Sequence, residues 1–96
     1  MAFINVNSIK YNPIESGSIR AGKNMLINTD SIEFCEISDV SIEEGKWDIP
    51  ATFMLLQMKL NERNIGKYAT EIFLKNGKSI LVVENIEFIY SEIINQ

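Results

Sequence analysis

Two β-prone runs, Tyr68 to Leu74 and Ser79 to Val83, flank the tetrapeptide Lys75-Asn76-Gly77-Lys78. Asn-Gly is the preferred central pair of a two-residue type I′ hairpin, because both central residues take positive φ there. The spacing predicts an antiparallel hairpin whose flanking lysines keep its tip soluble. No other local signal in the chain constrains the fold as strongly.

The rest of the first three quarters reads in the same way, with β-branched and aromatic runs punctuated by Gly, Pro, Asn and Asp. Ala2 to Ile9 reads as a strand with Ile4 and Val6 on one side and Phe3 and Asn5 on the other. Asn12 to Lys23, which holds Pro13, Gly17 and Gly22, reads as a loop. Asn24 to Asn28 is a second strand, and Thr29-Asp30 turns it into a third, Ile32 to Ser38. Glu43 to Pro50 reads as a loop. Thr52 to Leu60 alternates Met54, Leu56, Met58 and Leu60 against Phe53, Leu55, Gln57 and Lys59, which favours a strand. Its Met, Leu, Gln and Lys content keeps a helix in competition.

After the hairpin, Asn85 can cap a helix whose apolar residues Ile86, Ile89, Tyr90, Ile93 and Ile94 form one stripe. Phe88 lies off that stripe. A helix of three turns is marginal alone, so it must dock on the sheet or on another chain. An internal echo, Ile4 to Tyr11 against Ile27 to Phe34, is as readily explained by the Ile, Asn and Ser content as by duplication.

At 96 residues, 46% of them apolar, the chain holds one core and therefore one domain, 1–96. The expected class is α+β, mainly β: a small antiparallel sheet or partly open barrel of about six short strands with one C-terminal amphipathic helix. No apolar run reaches the roughly 20 residues of a membrane span, and no leader-like segment is seen, so a cytoplasmic location is expected. The lone Cys35 fits a reducing compartment. A net charge of −4 and a pI near 4.7 disfavour general nucleic-acid binding.

The chain has no His, which removes the usual neutral-pH general base and His-based zinc sites. One Cys forms no thiolate cluster, and Cys35, between Phe34 and Ile37 in a strand pattern, reads as a buried structural thiol. Gly17 and Gly22 match no phosphate-binding spacing. The acids Asp39, Glu43, Glu44 and Asp48 lack calcium-loop spacing and read as solvated charges. No catalytic residue, metal ligand or cofactor is therefore expected, and the chain is read as a non-enzyme.

Two features carry binding hypotheses. Trp47, in a polar loop, is either a plug for the end of a barrel or sandwich or an interface anchor. Arg20 and Lys23 in one loop, and Arg63 and Lys67 with Tyr68 in another, are either scattered solubilising charges or, if the loops meet, a clamp. Such a clamp would hold a phosphorylated small molecule or an acidic protein surface.

The segments Leu26 to Glu36 and Ile72 to Ile86 share a pattern: a strand, an Asn-x-Asp turn into Ile-Glu, an Asn-Gly-Lys hairpin, then a Glu-capped terminal helix. In this the chain resembles the small flagellar FlbD-like proteins and related phage and bacterial small β-domains. The resemblance spans about half of the chain and implies a compact, mostly antiparallel β-domain packed by one helix. The matching residues serve turn, cap and core, so they imply no ligand site. Ser38 to Lys67 departs from the pattern.

The function expected from these residues is a small binding module, homo-oligomeric, acting by occupying a protein or small-ligand surface. A phage-type inhibitor or a sponge for a nucleotide signal would suit its size and acidity. The alternative is a structural or assembly accessory, such as a flagellar-operon or phage-particle component.

Overall fold

The structure, a computed structural model, describes residues 2–14, 18–42, 46–47 and 65–95. Its strands are β1 (Phe3–Asn12), β2 (Ser18–Asn28), β3 (Ile32–Ser41), β4 (Lys46–Trp47), β5 (Ile65–Leu74) and β6 (Ser79–Glu84), followed by helix α1 (Ile86–Ile94). They form one six-stranded sheet in the order β3-β5-β6-β1-β2-β4. Neighbours are antiparallel except the two-residue β4, which runs parallel to β2. The expected class, a mainly β α+β fold with a C-terminal helix, is the one observed. Thr52 to Leu60, for which strand and helix competed, lies outside the described residues.

β1 follows its alternation: Ile4 and Val6 are buried and Phe3 and Asn5 are exposed. The segment expected as a loop from Asn12 to Lys23 is largely strand. Among the described residues, a turn at Pro13 and Ile14 follows β1, with Asn12 Oδ1 accepting from the Ile14 N–H at 3.0 Å, and β2 begins at Ser18. Gly22 is not a loop residue. It lies where β2 gains one residue relative to β1, because Asn7 pairs with Asn24 whereas Ile9 pairs with Ala21. A Cβ on Gly22 would meet the Ser8 side chain and lie 2.6 Å from the Ser8 carbonyl oxygen. Ser8 Oγ knits the bulge by accepting from the Lys23 N–H at 2.7 Å and donating to the Lys23 carbonyl at 3.1 Å.

The bulge has a packing consequence. An extra residue flips the faces of a strand beyond it. Ile27 and Met25 therefore join Ile4, Val6, Cys35, Ile72 and Val82 in one cluster, which Ile89 of α1 completes. Ile19, beyond the bulge, joins Ile9, Val40, Ile42, Ala69 and Val83 in a second cluster. The adjacent Val82 and Val83 belong to different clusters, so β6 is buried on both faces and forms the spine of the molecule.

The β5–β6 hairpin is present, with a different turn. Leu74 C=O accepts from the Gly77 N–H at 3.0 Å, and the Leu74 N–H donates to Lys78 C=O at 2.8 Å. With Gly77 at φ 87°, this is a three-residue loop ending in a glycine bulge rather than a two-residue type I′ loop. Asn76 stabilises it through its side chain, Oδ1 accepting from the Lys78 N–H at 2.9 Å. Asn85 caps α1 as expected, its Oδ1 accepting from the Phe88 N–H at 2.7 Å. The buried stripe is shifted: Ile94 is 75% exposed, while Phe88 packs against the first cluster. Tyr90 Oη donates to the Cys35 carbonyl at 3.2 Å, which ties α1 to β3.

Candidate binding site

Of the basic residues singled out in the sequence, Arg20 and Lys23 lie on β2 rather than in a loop, and Lys67 and Tyr68 lie on β5. β6 and β1 stand between those strands in the sheet. At roughly 4.8 Å per strand, the separation is about 14 Å along the sheet. Arg20 and Lys23 are thus three strands away from Lys67 and Tyr68. Arg20 instead faces Lys10 across the β1–β2 ladder. Arg63 lies outside the described residues. Trp47 packs against the second cluster, and its Nε1 donates to the Ile42 carbonyl at 3.0 Å. It thereby joins β4 to the residue that follows β3.

Lys67 and Tyr68 do line a cleft. It has a volume of about 280 Å³ and lies between β3, β5 and the start of α1. Ile37 of β3 and Tyr68 of β5 form its walls and are 62% and 49% exposed. Ile86 adds a third apolar surface, and Lys67 and Glu87 bring one charge of each sign. Below them Thr70, fully buried, donates from Oγ1 to the Glu84 carbonyl at 2.8 Å. Ile37 and Thr70 are paired across β3 and β5, so the cleft floor is rigid sheet rather than loop.

No protein-family model, curated protein or solved structure matches the chain. The chemistry of the cleft is therefore read from its own side chains, which offer apolar contact, a phenol and two opposite charges. Among the described residues, no group of three or more Cys, Asp or Glu is arranged to hold a metal ion. Cys35 is buried, and that burial pushes its thiol pKa up, away from the reactive thiolate.

A second polar feature was not anticipated from sequence. Glu84 is 3% exposed, and its carboxylate accepts from the Asn7 backbone N–H and from Asn7 Nδ2, each at 2.9 Å. Asn7 Oδ1 in turn accepts from Asn24 Nδ2 at 3.0 Å. Burial pushes the Glu84 pKa up, and the Asn7 hydrogen bonds pull against that. The arrangement has a structural cause. The β1–β6 ladder contains the single pair Ser8–Val82, so the carboxylate supplies the acceptor that the Asn7 N–H would otherwise lack. The available signal was an acid set directly between the apolar run Ile80 to Val83 and the helix cap Asn85.

Proposed function

We propose that the chain is a non-catalytic binding module that acts by holding an apolar group of a protein partner in the cleft beside α1. The observation that carries this reading is the exposure of Ile37 and Tyr68, two large apolar side chains that line one cleft between β3, β5 and α1. Large apolar side chains held open in a concave, rigid setting are what a binding pocket needs. Of the basic-loop residues singled out in the sequence, Lys67 and Tyr68 line this cleft, while Arg20 and Lys23 lie on β2. A thermal-shift series with small aromatic and aliphatic amides tests the proposal. At about 100 times Kd, a bound probe adds about 2.7 kcal/mol. The shift should disappear in Tyr68→Ala while the unliganded melting temperature stays near that of the parent. Equal shifts in both proteins, or none in either, would remove the cleft as the site.

A second reading is an assembly subunit, in line with the flagellar or phage accessory role that the sequence pattern suggests. It rests on Leu26, 69% exposed, which shares the outer face of the β1–β2 pair with the exposed Phe3. Light scattering across a concentration series, with and without Leu26→Lys, separates the two readings. Homo-oligomerisation through this face requires a mass above 11.0 kDa that the substitution reduces.

A further inference from the structure

On the opposite side of β3 and β5 from the cleft, two cross-strand pairs sit next to each other. Phe34 pairs with Phe73 and Glu36 pairs with Glu71. Residues two apart on a strand share a face, so these four side chains form a two-by-two block. The rings of Phe34 and Phe73 are stacked, with centroids 4.5 Å apart and planes 17° from parallel. Phe34 is nonetheless 46% exposed. Beside them, two carboxylates stand directly opposite each other, an arrangement that destabilises a sheet. Glu71 has one partner, Ser79 Oγ, which donates to it at 2.8 Å. Among the described residues, neither Glu36 nor Glu71 forms an ion pair.

The block lies at an edge of the sheet. Among the described residues β3 is the last strand on its side; it is ten residues long and carries Glu33, Glu36 and Asp39 exposed and no basic residue. Charge is a common defence of edge strands against self-pairing, and here it would set six acids together in a ribbon formed by two copies. The same charge favours a different strand. We propose that this edge binds an extended, basic segment of a partner protein in which Arg or Lys alternates with apolar residues. An inward-facing Arg would lie over the Phe34–Phe73 stack, where the ring face attracts a cation, with its guanidinium reaching Glu36 and Glu71. The incoming backbone would add a strand along β3, and alternate residues would fall on the block. The cleft lies on the other face of β3 and β5.

The test uses the full chain and three capped eight-residue peptides alternating Val with Arg, Ser or Glu. Titrations are followed by calorimetry and by backbone amide shifts. The Arg–Val peptide should bind with one-to-one stoichiometry, shift the β3 amides, and weaken as salt rises. Glu36→Lys should weaken it at least tenfold, because it replaces attraction with repulsion. Phe34→Ala and Glu71→Gln should each weaken it about two- to fivefold, the scale of an exposed cation–π contact or ion pair. Tyr68→Ala should leave it unchanged, which separates failure here from failure of the cleft. Equal binding of the Ser or Glu peptides, unshifted β3 amides, self-association through β3, or indifference to Glu36→Lys in a folded variant would each overturn the proposal.

Discussion

Replacing Glu84 probes the joint between β1 and β6. Its carboxylate is 3% exposed and holds the Asn7 backbone and side chain by two bonds of 2.9 Å. Glu84→Gln keeps an oxygen for the backbone N–H and loses the bond from Asn7 Nδ2, which costs about 1 kcal/mol. Asn7 cannot simply turn its amide round, because its Oδ1 already accepts from Asn24. The same substitution removes a charge that the fold desolvates. Because the folded pKa lies above the ordinary value of 4.5, the Glu84 contribution is complete below that value. It is lost as pH rises through the folded pKa, at no more than about 1.4 kcal/mol per pH unit for one proton.

The stability of the parent relative to Glu84→Gln should therefore fall as pH rises from 4 to 8, by no more than about 1.4 kcal/mol per pH unit. Glu84→Ala leaves both Asn7 donors without this acceptor and should cost about 1–3 kcal/mol across the range. Urea unfolding of all three proteins at pH 4, 6 and 8 measures these differences. A parent advantage over Glu84→Gln that grows with pH would refute the reasoning, as would equal losses in Gln and Ala.

Three further outcomes follow from the fold. Gly22→Ala should destabilise by about 1–3 kcal/mol in urea unfolding, because its Cβ meets Ser8 backbone as well as side chain. Asn85→Ala should cost about 1 kcal/mol by removing the cap on the Phe88 N–H, read in the same assay. Ile89→Ala, at a fully buried position where α1 meets the sheet, should cost about 2–5 kcal/mol and release the helix to amide exchange.

The parts of the fold that could be read in advance are those written locally. The alternation of Ile4 and Val6, the Asn76-Gly77 turn and the Asn85 cap each act within a few residues. The first part of β2, Ser18 to Lys23, was hidden because Gly17 and Gly22 read as loop punctuation. The need for Gly22 is set by Ser8, fourteen residues earlier and on another strand. The sheet order is likewise a non-local fact, so the separation of Arg20 and Lys23 from Lys67 could not be derived from spacing. In the candidate site, Lys67 and Tyr68 stood out as a basic and an aromatic residue together. Ile37 did not, because an isoleucine two positions from the buried Cys35 has the pattern of core. Its exposure depends on α1 beginning beside it rather than lying over it.

The claim at the centre of this account is that the cleft between β3, β5 and α1 receives an apolar group. Amide chemical-shift mapping of the labelled chain, titrated with the aromatic amide that gives the largest thermal shift, tests it most directly. The account predicts perturbations concentrated at Ile37, Tyr68, Thr70 and Ile86, which saturate together and vanish in Tyr68→Ala. Saturating perturbations centred on the outer β1–β2 face at Phe3 and Leu26, with the cleft amides unmoved, would contradict it.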